Sequence, residues 1–167
     1  MYGIVHDEIT YSISKEYYTR LKFLQFHYAN FGLPVRVFAA EVGFLATWWV
    51  GFIAAWFLAR VTVPSLPKTE ASSCNLIGFL IIILVTVSAS VTAFFLGLLH
   101  GPDYSAWRNF TAELGVSDVR NFVRVAYIHY GSYLGGLIGL IAALIFVRSR
   151  TKKNSSAENQ AKGTETA

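Results

Sequence analysis

Between Ala71 and Leu99 lie 29 consecutive residues without a single Asp, Glu, Lys or Arg. A soluble core helix carries a polar stripe on every turn, whereas Leu76 to Leu84 (LIGFLIIIL) has none, so this run belongs in hydrocarbon. Crossing a hydrocarbon layer of roughly 30 Å takes about 20 apolar residues. Two further windows approach that measure. Val42 to Ala59 is uncharged over 18 residues, extended upstream by Val37 to Ala40 with Glu41 between them, and Val125 to Val147 adds 23 more with His129 inside. A chain of 167 residues, 54% apolar and 14% charged, has room for one domain and is dominated by these three windows. The expected fold is therefore an all-α membrane protein with spans at about 35–60, 75–99 and 118–147.

Punctuation between the windows supports this division. Pro34 suits the first helical position of the first span, where its missing N–H is not needed. Pro64 and Pro67 interrupt the chain after it, and His100-Gly101-Pro102 is a strong stop after the second. Residues 105–114 place Trp107, Phe110 and Leu114 on one side, the pattern of a short interfacial helix, and Ser117 is placed to cap the third span. In residues 1–34 the apolar Ile4, Ile9, Tyr11 and Ile13 fall at roughly alternating positions, which predicts an extended or hairpin-like interfacial segment. Ser14 then caps a surface helix over 15–27 with Tyr17, Leu21, Leu24 and Tyr28 beneath it. Residues 151–167 are polar and aperiodic, and predict a disordered tail after the bundle of residues 35–150. The first 36 residues show no basic stretch followed by an apolar core, so the first span is expected to act as its own insertion signal. One cysteine, Cys74, leaves no internal disulfide framework.

Small residues recur every four positions. Gly131, Gly135 and Gly139 share one face of the third span, and Ala89, Ala93 and Gly97 do so on the second. Such faces let helix backbones approach closely, which in lipid takes the place of a hydrophobic drive. They predict packing within the bundle, or self-association.

Ionisable groups in or beside a membrane are expensive, and so are the candidate functional residues. With three crossings, His6, Asp7, Glu16, Glu41, His100 and His129 all fall on one membrane side, whichever way round the chain sits. Two imidazoles with a carboxylate can hold zinc, iron or manganese, or pass protons. The spacing specifies no cofactor. The plainer expectation is that Glu41 sits favourably near a helix N-terminus, the histidines hydrogen-bond at the wet interface and no cofactor is bound.

The opening Tyr2-Gly3-Ile4-Val5-His6-Asp7-Glu8-Ile9-Thr10, the later Ser14-Lys15-Glu16-Tyr17-Tyr18-Thr19, Ala46 to Gly51 (ATWWVG) and His129 to Gly139 (HYGSYLGGLIG) form one set. Together they resemble a group of small, mainly bacterial multi-pass membrane proteins that reads approximately YGIxHDQIT…SPEYFT, an ATWWVG-like stretch and H-x-x-SYLGGLxG. Glu8, Lys15 and Tyr18 depart from that pattern. The resemblance implies membrane class and location, and no activity.

Function is expected at the level of class: a non-enzymatic multi-pass membrane protein, a subunit, scaffold or accessory packing through its Gly and Ala faces. The alternative is a membrane enzyme or metal- or proton-handling protein with a His/Asp/Glu site on one membrane face; a small oligomeric transporter ranks third. The expected partners are the lipid bilayer and further copies or other membrane proteins, not nucleic acid, because the basic residues lie beside the spans. Lys and Arg number seven on each side. Four of them, Arg148, Arg150, Lys152 and Lys153, follow immediately on the third span, so a cytoplasmic tail in a cell (inner) membrane is expected.

Overall fold

The computed structural model describes the backbone of residues 1–100 and 105–165, and their side chains except at 100, 105, 106, 155 and 157–165. It is helical, with no strand among the described residues. Three helices are long and apolar enough to cross a membrane: α4 (Val35–Thr62), α5 (Lys68–His100) and α7 (Val119–Glu165). Before them come α1 (Tyr2–Ile13), α2 (Lys15–Tyr17), a π-helical turn (Tyr18–Lys22) and α3 (Phe23–Gln25), and α6 (Ser105–Glu113) lies between α5 and α7. The chain is a multi-pass membrane protein.

The most extensive pairing joins α5 to α7, and small residues make it close. A Cβ added at Gly135 would lie 2.9 Å from the Thr86 Cα, and one at Gly139 would lie 2.9 Å from the Ile82 Cα. One at Gly131 would press on Ala89 and Ala93, and one at Gly97 on Arg124 and Tyr127. These pairings run in opposite directions along the two helices, so α5 and α7 are antiparallel.

The helix α4 joins this pair at its two ends. Near residue 62, Leu58 is buried with Cys74, Ala143 and Val147, and the Thr62 hydroxyl donates to Asn75 Oδ1 at 2.9 Å. At the other end α1 connects α4 to α7. Outward faces are apolar: Trp48, Phe52, Leu84 and Ile145 are all exposed, as lipid contact requires.

The N-terminal segment departs from the extended reading. Residues 2–13 are helical and run antiparallel to the first half of α4, with Gly3 against Gly43 and Thr47 and with Arg36 donating to Glu8 Oε2 at 3.0 Å. The buried stripe is Gly3, Asp7, Thr10 and Tyr11, while Val5 (56%) and Ile9 (57%) face outward. In lipid a helix hides its small and polar face, and of the alternating apolar residues Ile9 turns outward while Tyr11 is buried, so their spacing did not mark one face of a strand.

Other boundaries shift for local reasons. The surface helix expected over 15–27 is broken by the π-helical turn, which brings Tyr17, Tyr18 and Lys22 all inward while Leu24 and Tyr28 remain exposed. The connection after α4 shortens to residues 63–67, because Lys68-Thr69-Glu70-Ala71 forms a sound first turn, with Ala71 N–H donating to the Pro67 carbonyl at 2.8 Å. Asp118, not Ser117, caps α7: its Oδ1 accepts from Asn121 N–H at 3.2 Å. Helical backbone continues to Glu165, over residues read as a disordered tail. Their Lys, Ala, Glu and Gln content is compatible with a helix.

Candidate metal centre

α1 brings His6 and Asp7 against the side of α7 that carries His129. Three potential ligand atoms, one from each residue, lie within 4.8 Å of one another. His129 Nε2 stands 3.5 Å from Asp7 Oδ1, and both side chains are almost fully buried. The His6 and His129 rings meet edge to face with centroids 4.8 Å apart.

The rear of each imidazole is anchored. His129 Nδ1–H donates to the Val125 carbonyl at 2.9 Å, so Nε2 is the ring nitrogen turned to the cluster and the one whose lone pair a metal ion would take. His6 Nδ1 lies 3.3 Å from the Tyr2 hydroxyl and 3.4 Å from the Ser132 hydroxyl. With Nδ1–H donating to one of these oxygens, His6 Nε2 is likewise free. His6 Nε2, His129 Nε2 and Asp7 Oδ2 are inaccessible to solvent and have no hydrogen-bond partner among the described residues. Burial holds His6 well below its ordinary 6.5, at about 4; the neighbouring His129 adds to this and Asp7 opposes it. His6 is therefore neutral near pH 7 and keeps a lone pair to give.

An aromatic wall surrounds the cluster. The Tyr17 ring stacks on His129 at 4.8 Å, and Tyr18 and Tyr133 flank it at 6.4 and 6.3 Å. Burial pushes the Tyr17 and Tyr18 hydroxyls up, so both stay neutral, and Tyr18 and Thr10 share a 2.6 Å hydrogen bond. The buried Lys22 ammonium donates to the Tyr133 hydroxyl at 3.4 Å. On the membrane-interior side, Ser132 bonds Tyr2 at 3.0 Å and Ser90 at 2.7 Å.

Of the six residues singled out in the sequence, three meet here. Glu16 is engaged elsewhere: its carboxylate accepts from Ser117 N–H at 3.1 Å and Asp118 N–H at 2.6 Å, and those bonds hold it below the usual carboxylate range. Glu41 is half-buried on α4 with Oε2 unpartnered, outside the group of three. His100 closes α5 beyond Gly97, which faces Arg124 and Tyr127; its side chain lies outside the described residues. Sequence reading did not assign Tyr2 and Ser132 as supports. The i, i+4 spacing of Tyr2 and His6, and of Val125 and His129, was the available signal.

Two nitrogen donors and a carboxylate suit a first-row divalent ion. Zn–N and Zn–O bonds of about 2.0–2.2 Å imply ligand atoms about 3.3 Å apart, so a cluster whose atoms lie within 4.8 Å of one another would close by up to about 1.5 Å on binding. Comparison with protein-family models, curated proteins and solved structures gives no match.

Proposed function

We propose that this membrane protein holds a first-row divalent metal ion, zinc or ferrous iron, between its N-terminal helix and α7. His6 Nε2, Asp7 Oδ2 and His129 Nε2 are the ligands. One observation carries the reading: His6, Asp7 and His129 each bring a ligand atom within 4.8 Å of the others, each holds a buried atom without a hydrogen bond, and the far nitrogen of each ring is held by one. An outer shell of that kind orients metal-binding histidines and fixes their tautomer. Left without an ion, three such atoms each carry a desolvation penalty of about 1–3 kcal/mol. The ion would tie α1 to the bundle, which fits an accessory or subunit role better than turnover, since the wall of tyrosines packs against the site. The membrane is a cell (inner) membrane, with the basic tail cytoplasmic, and the resemblance to the bacterial group is one of kin.

The line of hydroxyls from His6 through Tyr2 and Ser132 to Ser90 supports proton handling as the second reading. Elemental analysis separates the two. Protein reconstituted with zinc or ferrous ion and then dialysed should retain about one ion per chain. Asp7→Asn and His129→Ala should lose it, while His27→Ala, an exposed histidine bonded to the Leu24 carbonyl, should keep it. Wild-type protein that retains neither metal, or a His129→Ala variant that retains as much, would refute the metal reading.

A further inference from the structure

At the end of the bundle opposite the His/Asp cluster, a groove of about 480 Å³ opens between the first turns of α5 and the α7 residues just past Val147. Its size is that of a small-molecule site. Its lining changes character along its length. Ile77 and Phe146 belong to the charge-free windows, Ser73 lies at the polar start of one, and Glu70, Arg150 and Lys153 lie just outside them. The groove thus straddles the edge of the hydrocarbon, apolar below and charged above. Arg150 and Lys153, three apart, share one face of α7, and Glu70 faces them from α5. None of the three forms an ion pair within 4.0 Å among the described residues.

We propose that this groove binds the headgroup of a phospholipid that carries both a phosphodiester and a primary ammonium, as phosphatidylethanolamine does. The phosphodiester pairs with Arg150 and Lys153, and the ammonium pairs with Glu70. The Ser73 hydroxyl is available to a phosphate oxygen, and an acyl chain lies along Ile77 and Phe146. Opposite charges held apart on two walls at a membrane edge call for a ligand that answers both. A purely anionic headgroup answers only the cations and meets repulsion from Glu70. A headgroup without its chains lacks the apolar half of the contact.

Native mass spectrometry of the full chain in detergent tests this, with phosphatidylethanolamine, phosphatidylglycerol and chain-free glycerophosphoethanolamine each added at equal concentration. Wild-type protein should retain the ethanolamine lipid several-fold over the glycerol lipid, and should not retain the chain-free headgroup. Arg150→Ala with Lys153→Ala should lower that retention about tenfold or more. Glu70→Gln should erase the preference by raising retention of the glycerol lipid. Arg148→Ala with Lys152→Ala, the same charge change outside the groove, should leave retention unchanged. Thermal unfolding without lipid identifies the folded variants, and if the first pair unfolds, Lys153→Ala, at an exposed position, carries the same test. Equal retention of the two lipids by wild type, full retention of the chain-free headgroup, or equal losses from the two paired variants would overturn the proposal. The last outcome would mean diffuse attraction of a basic tail.

Discussion

Glu16 acts where the chain leaves the surface and re-enters the membrane. Its carboxylate accepts from the Ser117 and Asp118 amides, whose N–H groups would otherwise lack partners at the start of α7. A carboxylate there also faces the positive end of the helix. Because these bonds lower the Glu16 pKa from 4.5, the folded state favours the ionised form. The stabilisation is therefore full above the ordinary carboxylate pKa and is lost as pH falls through the lower folded-state value. Glu16→Gln should cost about 1 kcal/mol at pH 7. Thermal unfolding in detergent from pH 6 to pH 3 should show the gap between variant and wild type closing toward acid; a constant gap would mean that charge plays no part. That contact, a bond across a hundred positions, could not be read from the sequence. His6, Asp7 and His129 could be placed on one membrane side, because two crossings separate the N-terminal segment from the start of the third span irrespective of local detail. Which of the six candidates would meet could not, because that depended on α1 lying beside α7 rather than over its end.

At the scale of elements, the spans were legible because the hydrocarbon tolerates no ambiguity over 20 residues. α1 was not, because its hidden face mixes the small and polar Gly3, Asp7 and Thr10 with the aromatic Tyr11, while the apolar Val5 and Ile9 turn outward. A Cβ at Gly3 would overlap the Gly43 carbonyl and the Thr47 side chain, so Gly3→Leu should release α1 from α4 and open the His/Asp cluster. Hydrogen–deuterium exchange should register that as lost protection over residues 2–13 with α5 and α7 unchanged; retained protection would mean that α1 has another seat. The α5–α7 seam gives the companion prediction. At Gly135 the space for a Cβ is bounded by the Thr86 and Val85 backbone, which cannot move aside alone, so Gly135→Leu should destabilise the protein by about 1–3 kcal/mol. Leu137 is 59% exposed, and Leu137→Ala should change thermal unfolding in detergent by much less. Equal effects would place the glycine face outside the packed seam.

For the whole molecule, three crossings put α1, α6 and the His/Asp cluster on one side, and residues 63–67 and the polar end of α7 on the other. Basic residues divide evenly between the sides, so orientation turns on the density at Arg148, Arg150, Lys152 and Lys153, immediately beyond the last span. Charges that close to a span weigh most, because distant ones cross with their domain. Cys74 would be a poor reporter of sidedness, since it is buried against Leu58, Ala143 and Val147. A Cys74→Ala background carrying either Lys15→Cys or Ser65→Cys places the thiol at an exposed position on one side or the other. With the tail cytoplasmic, a membrane-impermeant maleimide on intact cells should label the Lys15→Cys protein at once. The Ser65→Cys protein should be labelled only after the membrane is opened. The reverse pattern would invert the orientation and turn the His/Asp cluster toward the cytoplasm, where its ion would come from a reducing pool favouring the ferrous state. Labelling of both thiols from outside would break the three-crossing topology. With it would go the argument that brings the cluster's members to one face.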